Sequence, residues 1–329
     1  MDALLILNAL KKNAIAREEG RSERRNFLRT AGGFAAGAAG TLALTACGGH
    51  TSSAGAQTTS SGPSDGDILN FALNLEYLEA QFYSYAATGL GLPLTMLSGT
   101  GTQGAVMAGQ KANLTNPAVI AYANEIAKDE SNHVNFLRSQ LTNSAVAQPA
   151  IDISVSATSA FSLAAVAAGV IPKGGTFNPY ANDESFLLGA YIFEDVGVTA
   201  YHGAAGLISS KTYLEAAAGI LAVEAYHAGL IRSSLYAMGL ATPAPSINPY
   251  TATMGISNAR SMLDGTNNDD QGIQGSSSTI SNLVDADSNS LAYSRTTAQV
   301  LNIVYLNAAA VTMGGFFPSG VNGNINTSG

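Results

Sequence analysis

The sequence contains two copies of a Glu-x-x-His motif, and a helix-like stretch with one further glutamate precedes each copy. These six residues are Glu76, Glu130, His133, Glu194, Glu224 and His227. Because residues three apart on a helix point to the same side, each Glu-x-x-His pair can offer two ligand atoms to one cation. Four helices that contribute this set form a carboxylate-bridged two-metal site inside a bundle. The motifs therefore predict an all-α fold with metal in its interior.

Apolar periodicity and capping residues predict the four long helices of this bundle. Asn116 can cap the second helix, with Pro117 at its first position, and Asn182 can cap the third. Gly239 is expected in the left-handed conformation just past the end of the fourth helix. The predicted ranges are 65–88, 117–141, 182–207 and 211–238.

Two further regions connect and follow the four helices. We predict that residues 142–181 form a long crossover between the second and third helices, with a short helix near 157–168. Residues 241–329 are rich in Asn, Ser, Asp and Gly, and we predict a loop-rich extension with one helix at 293–310 that packs on the bundle. Arg295 in this helix is expected to pair with acids of the bundle.

The spacing across the predicted turns places the glutamates at one height. Glu194 lies fifteen residues before Ser209 and Glu224 fifteen residues after it, so each carboxylate is about 22 Å from the turn at 1.5 Å per residue. For the first pair of helices the midpoint is Gln103, within a Gly-rich loop. The six ligand residues are therefore expected at the same level of the bundle.

An internal repeat relates the first two helices to the last two. Aligning Glu76 with Glu194 also aligns Tyr83 with Tyr201, seven residues later in both cases. Seven residues are nearly two helical turns, so each tyrosine lies on the same face as its glutamate. Tyr83 and Tyr201 are either core aromatics or hydrogen-bond partners of the carboxylates that quench oxidising equivalents. We take them as candidate catalytic residues.

The chemistry of the donors indicates the metal. Oxygen ligands with one imidazole per ion suit iron or manganese better than copper, and four carboxylates balance two divalent ions. Burying these acids without a cation would cost several kcal/mol each. We expect two Fe ions or two Mn ions, with Glu130 and Glu224 as bridges and one histidine fixing each ion.

Several neighbouring residues leave alternatives open. Glu79 competes with Glu76 as the ligand from the first helix, because the two share a face. His202 lies either beside the ligands or on the surface. Asp129 and Asp195 either accept a hydrogen bond from a metal-bound imidazole or are solvated.

The first 47 residues predict an export signal. Arg24-Arg25-Asn26-Phe27-Leu28-Arg29 is a twin-arginine pattern, and an uncharged Ala/Gly/Leu run follows it. The run ends at Cys47 in what is similar to a lipoprotein cleavage box. We therefore predict twin-arginine export, a lipid anchor on Cys47 and an envelope or periplasmic location. Residues 48–64, rich in Gly, Ser and Thr, predict a flexible linker.

The charge balance argues against a nucleic-acid partner. The whole chain carries a net charge of −8, and residues 1–47 carry +3, so the remaining chain carries −11. An acidic surface repels phosphate backbones and attracts cations. Cys47 is the single cysteine, so any metal in the folded domain must be held by oxygen and imidazole.

Several segments resemble the ferritin-like superfamily, and specifically its desiccation-related proteins. They are Leu73-Asn74-Leu75-Glu76-Tyr77-Leu78-Glu79-Ala80, Glu130-Ser131-Asn132-His133, Glu224-Ala225-Tyr226-His227, Arg295-Thr296-Thr297-Ala298-Gln299-Val300-Leu301 and Gly314-Gly315-Phe316-Phe317-Pro318. The resemblance implies an antiparallel four-helix bundle with a long crossover and a di-iron or related centre at the six residues above. The long loops and the Asn/Asp-rich tail differ from cage-forming ferritins, so a storage shell is not expected.

The leading functional hypothesis is an exported protein whose metal pair reacts with O2 or peroxide, as an oxidase or as a peroxidase or catalase, in oxidative or desiccation stress. The alternative is a non-enzymatic envelope protein that protects surfaces during stress and keeps a structural or vestigial metal site. A third hypothesis is a binding module in residues 240–290. A homodimer is a further expectation.

Overall fold

The computed structural model describes residues 62–107, 109–241, 246–265, 269–277 and 279–329. The predicted signal, Cys47 and most of the predicted linker lie outside these residues. The helices are α1 (Asp65–Thr88), α2 (Pro117–Leu141), α3 (Ala160–Ala167), α4 (Asp183–Ala205), α5 (Lys211–Gly239), α6 (Pro249–Asp264) and α7 (Thr297–Val304). The four long helices α1, α2, α4 and α5 lie close to their predicted ranges.

The capping residues explain where these helices begin and end. The Asn116 side chain accepts a hydrogen bond from the N–H of Ala118, and Pro117 occupies the first turn of α2 as predicted. Gly89 ends α1 in the left-handed conformation, with φ 81°. The prediction for Gly239 was wrong, because this residue is helical and α5 ends at Leu240 with φ −86°.

Hydrogen bonds between helix ends show that neighbouring bundle helices run antiparallel. The carboxylate of Asp65, at the start of α1, accepts the N–H groups of Ser209 and Ser210 at the start of α5. Asp183, at the start of α4, accepts N–H groups at the start of α2. Since α2 begins beside the last turn of α1, the two pairs of starts lie at opposite ends of the bundle. The main packing is α1 on α2 and α4 on α5.

The predicted crossover connects the end of α2 with the start of α4. It contains β2 (Ile151–Asp152) and then α3, and β2 pairs in parallel with β1 (Val106–Met107) from the connection between α1 and α2. The short helix predicted at 157–168 is therefore present as α3. This path takes the chain along the bundle without interrupting the four long helices.

The C-terminal extension contains two helices among the described residues, whereas one was predicted. Helix α6 was missed, although Asn248 caps it and Pro249 occupies its first turn, as in α2. Helix α7 is shorter than the predicted range 293–310, because Thr296 and Gln299 form a capping box at its start and Tyr305 ends it.

The extension covers the bundle side formed by α1 and α4. Helices α6 and α7 pack against α4, and the end of the chain returns to α1, where Asn322 exchanges two hydrogen bonds with Asn74. Helices α1 and α4 are therefore buried on nearly all sides, which explains their broad apolar faces. Helices α2 and α5 keep one face towards solvent.

An arginine network attaches the extension to α4. Its members are Arg232, Arg260, Arg295, Asp195, Asp264 and Asp270. The Asp195 carboxylate lies 2.8 Å from Arg232 Nη1 and 3.0 Å from Arg260 Nη2. The predicted pairing of Arg295 with bundle acids was wrong: its side chain binds Asp264 and Asp270 of the extension, and it contacts the bundle at Thr199, with Nη1 2.9 Å from Thr199 Oγ1.

Candidate metal centre

The six predicted ligands meet at one level in the interior of the bundle. Helices α1 and α4 supply one glutamate each, and α2 and α5 supply one Glu-x-x-His each. Their exposed fractions are 0% for Glu76, 1% for Glu130, 9% for His133, 1% for Glu194, 0% for Glu224 and 2% for His227. The equal heights expected from the turn spacing are therefore realised.

The donor atoms form two overlapping groups, in each of which the atoms lie within 4.8 Å of one another. The first ligand group is Glu76, Glu130, His133 and Glu224; the second ligand group is Glu130, Glu194 and His227. Glu130 belongs to both, with Oε2 at 3.2 Å from His133 Nδ1 and Oε1 at 3.0 Å from His227 Nδ1. It therefore lies where a bridging carboxylate would lie. The sequence paired Glu224 with His227, but Glu224 falls only in the first group, with Oε1 at 3.7 Å from His133 Nδ1.

The donor atoms fit a metal because many of them have no other partner. The buried atoms that lack a hydrogen bond to any described residue include Glu130 Oε1, Glu194 Oε2, both carboxylate oxygens of Glu224 and His227 Nδ1. His227 Nδ1 and Glu130 Oε1 are close but are not aligned as a hydrogen bond. Buried polar atoms are nearly always satisfied. Oxygen and imidazole donors that point at shared positions are what iron and manganese require.

The carboxyl groups have strongly shifted pKa values. Burial raises the pKa of Glu76 to about 7, against the lowering effect of His133. Burial, and then the charge of Glu130, raise the pKa of Glu224 well above its usual value. Burial acts in the same direction on Glu130, but contacts with both histidines outweigh it and lower its pKa. The buried glutamates therefore outnumber the two imidazoles, and Glu130 is the one that contacts both.

The histidines show the opposite shift. Burial lowers the pKa of His133, but the charge of Glu76 and the contact with Glu130 outweigh it and raise the pKa to about 11. The same balance, with Glu194 and Glu130 as the acids, raises the pKa of His227 to about 11. Without metal, both imidazoles are therefore protonated at neutral pH.

The two candidate tyrosines bind carboxylates across the repeat. Tyr83 on α1 donates its hydroxyl hydrogen to Glu194 on α4, and Tyr201 on α4 donates to Glu76 on α1. Burial, and then the facing carboxylate, raise the pKa of both hydroxyls well above the usual value. Both tyrosines therefore stay neutral donors; their hydrogen bonds to the carboxylates are confirmed, and the quenching role stays a prediction.

Glu76 and Glu79 were left as alternative ligands by the sequence, and the structure places Glu76 in a ligand group and Glu79 in neither. Glu76 belongs to the first ligand group, and Glu79 is 6% exposed. A Cβ atom added to Gly197 would lie 2.3 Å from Glu224 Oε2 and 3.5 Å from Glu79 Oε1. Sequence reasoning missed Gly197. Its position three residues after Glu194, on the same face of α4, was the available signal.

The remaining candidates lie outside the ligand groups. Asp129 Oδ2 is 3.4 Å from His227 Nε2, the nitrogen turned away from the centre, so Asp129 can orient this ring. Asp195 contacts arginines and no histidine. His202 is exposed, with Nδ1 3.0 Å from the carbonyl oxygen of Tyr293, which agrees with the surface alternative.

Comparison with known proteins now decides the family. Residues 64–237 match the sequence family described as the ferritin-like domain. The chain belongs to this family. This ferritin-like protein is 31% identical over 274 residues to the ferritin-like catalase Nec2 of Nesocodon mauritianus, covering 79% of the chain and 84% of that protein. It is 32% identical over 275 residues to the desiccation-related protein PCC13-62 of Craterostigma plantagineum, covering 79% and 83%.

The family assignment agrees with the structure. The matched range begins at the cap of α1 and ends within the last turn of α5. It contains all six predicted ligands. The ferritin-like domain is thus the four-helix bundle, as the resemblance implied, and α6 and α7 lie outside the matched range.

Proposed function

We propose that this ferritin-like protein is a metal-dependent oxidoreductase that consumes peroxide through a dinuclear iron or manganese centre. One observation carries the proposal. Buried donor atoms without hydrogen-bond partners form two groups that share Glu130. A single bridging carboxylate between two histidines fits a pair of adjacent ions better than one ion. Adjacent ions of this kind supply the two-electron changes by which two peroxide molecules become water and O2.

The side chains around the centre have separate roles in this proposal. Glu130 would be shared by the two ions, His133 and His227 would hold one ion each, and Glu76 and Glu194 would each bind one ion. The hydrogen bonds from Tyr83 and Tyr201 hold these terminal carboxylates in place. The tyrosines are also the nearest aromatic groups from which a stray oxidising equivalent could take an electron.

The reactant reaches the centre between α2 and α5. On this side the side chain of His133 is 11% exposed and that of Asp129 is 33% exposed. The opposite side is closed by the C-terminal extension. The acidic charge of the chain attracts cations to this side.

The two relatives favour different activities. One relative is named a ferritin-like catalase, and this name supports the consumption of peroxide over oxidation by O2 alone. The name of the other is a desiccation-related protein, which keeps the non-enzymatic alternative with a structural metal site. The enzymatic and the non-enzymatic hypotheses both require bound metal, and a measurement of peroxide turnover distinguishes them.

We also propose the cellular setting that the sequence predicts, which is twin-arginine export, a lipid anchor at Cys47 and a homodimer. The twin-arginine route carries folded protein, so metal can be loaded before export. The exposed face of α5 supports a dimer. Tyr226 is 75% exposed and Leu214 is 38% exposed there. By length and composition α5 could cross a membrane, alone among the described helices, but a bundle helix passes the same test, and α5 buries Glu224 and His227.

The test compares purified wild-type protein with the double variant Glu130→Ala/His227→Ala. Bound iron and manganese are measured by elemental analysis, and peroxide loss is followed by O2 release. We expect about two ions per wild-type chain, and loss of metal and O2 release in the variant. The matched control is Glu125→Ala/His202→Ala, in which both residues are exposed.

Two results would contradict the proposal in different ways. If the wild type and the variant both contain almost no metal, the proposed metal centre is contradicted. Two bound ions without O2 release from peroxide would favour the non-enzymatic alternative.

A further inference from the structure

The two halves of the bundle contribute unequal numbers of carboxylates to the centre. In the internal repeat Glu76 aligns with Glu194, so Glu79 aligns with Gly197, three residues further along in each case. The first half thus supplies a glutamate where the second half has no side chain. The ligand groups are also unequal, with four residues in the first and three in the second. The additional carboxylate and the smaller group lie in the same part of the bundle.

Glu79 lies beside the second ligand group. Tyr83 follows it by four residues, hence on the same face of α1, and binds Glu194 of that group. The Oε1 atom of Glu79 lies 3.5 Å from where a Cβ on Gly197 would be, one turn beyond Glu194 on α4.

The position of Glu79 has no structural explanation among the described residues. Its side chain is buried, and no hydrogen bond holds it in the part of the chain that the structure describes. An ionised carboxylate in such a place costs several kcal/mol unless a cation compensates it. An apolar cavity of about 20 Å³ adjoins Glu79, lined by residues such as Leu75, Val196 and Phe316.

We infer that Glu79 is a seventh ligand of the centre and supplies the fourth protein donor to the ion held by Glu130, Glu194 and His227. Gly197 provides the space, because a side chain there would meet Glu224 and approach Glu79. The two ions then differ in their surroundings, since the first half of the repeat gives two glutamates and the second half gives one. This inference rests on the proposed metal centre.

The test is a Mn²⁺ titration of the metal-free full chain, followed by calorimetry and by the electron paramagnetic resonance signal of coupled manganese pairs. In Glu79→Gln, we expect the affinity of one ion to fall about 10–100-fold while the other is unchanged. The coupled signal should then weaken at substoichiometric metal. Glu215→Gln, an exposed change of the same type on α5, is the control.

The possible outcomes separate the two proposals. Wild-type protein that binds no Mn²⁺ contradicts the proposed metal centre itself. If the wild type binds two ions, equal affinities in Glu79→Gln contradict only the role of Glu79, and so does a loss of both ions together. A crystal structure of the manganese-loaded protein gives an independent answer, because a ligand oxygen of Glu79 must lie within about 2.2 Å of one ion.

Discussion

The arginine network and the metal centre are both buried clusters of charge, but their charges are compensated in different ways. In the network each acid is bound by at least one guanidinium group, and Asp270 is bound by two, with Oδ1 at 2.7 Å from Arg260 Nη2 and Oδ2 at 2.8 Å from Arg295 Nη2; the Nε atoms of Arg232 and Arg260 have no hydrogen-bond partner among the described residues. In the centre the glutamates share two imidazoles, and five donor atoms have no hydrogen-bond partner among the described residues.

This difference separates a structural cluster from a binding cluster. Guanidinium groups satisfy carboxylates within the chain, so the network stabilises the attachment of the extension to α4 without any added ion. The centre lacks enough positive charge of its own, so its acids need cations from outside. The same kind of residue, a buried acid, therefore has opposite effects on the stability of the metal-free protein. Four predictions test this contrast, from the largest effect to the smallest.

The largest effect is expected from Arg260→Met in the network. The change takes one of two guanidinium partners from Asp195 and one of two from Asp270, and breaking a buried ion pair costs about 3–5 kcal/mol of unfolding free energy. Denaturant unfolding of the metal-free protein measures this. Lys128→Met, an exposed change on α2, is the control and should cost little. A loss below 1 kcal/mol would show that the network does not hold the extension.

The second prediction concerns pH and metal binding. In the metal-free protein both histidines have a pKa of about 11, so below that pH each must lose a proton before it can bind an ion. Binding therefore releases protons, and the affinity for each ion should fall about 100-fold from pH 8 to pH 6, tenfold per pH unit for one proton. Calorimetry in two buffers with different heats of ionisation counts the protons. Affinity that is independent of pH would contradict protonated histidines.

The third prediction is a gain in the unfolding free energy of the metal-free protein, whereas the first is a loss. The pKa of Glu224 is raised, so its folded form keeps a proton that the unfolded chain releases, and the metal-free protein loses stability as pH rises above the unfolded value. Glu224→Gln removes this cost, and at pH 8 we expect a gain of about 1–3 kcal/mol in the metal-free protein. Added Mn²⁺ should then stabilise the variant less than the wild type. If the metal-free variant is less stable than the wild type, Glu224 stabilises the fold without metal, as the acids of the arginine network do.

The smallest effect is expected from Tyr83→Phe. This variant loses one buried hydrogen bond to Glu194, with a cost of about 1 kcal/mol, and should still bind two ions. Thermal unfolding and elemental analysis check both expectations. Tyr201→Phe, its counterpart in the repeat, should behave alike. Loss of metal in either variant would mean that the hydroxyl fixes the ligand geometry more strongly than one hydrogen bond implies.

Local signals in the sequence were sufficient for the bundle and for the six ligand positions. Asn116 followed by Pro117 locates the start of α2, and the repeated Glu-x-x-His spacing locates the ligands on two helices. The same cap signal at Asn248 was missed because the surrounding Asn- and Ser-rich composition indicated a loop. Composition there concealed a clear local signal.

Other features depend on distances between helices, which spacing along the chain does not determine. The closeness of Gly197 to Glu224 follows from how tightly α4 and α5 pack at that level. The presence of Glu224 in the first ligand group follows from the side-chain conformation that this packing allows. The partners of Arg295 lie 25 and 31 residues away, Asp270 in an irregular segment and Asp264 at the end of the unpredicted helix α6, so no periodic pattern indicated them.

The two hydrogen bonds between Asn74 and Asn322 join residues that are 248 positions apart in the chain. Asn74 lies two residues before Glu76, so one side of the helix that begins the centre is covered by residues from the end of the chain. On the ribosome, α1 must therefore wait for nearly the whole polypeptide before it is enclosed. A chain that stops before residue 322 would carry the bundle sequence but leave its first ligand helix open to water and to proteases.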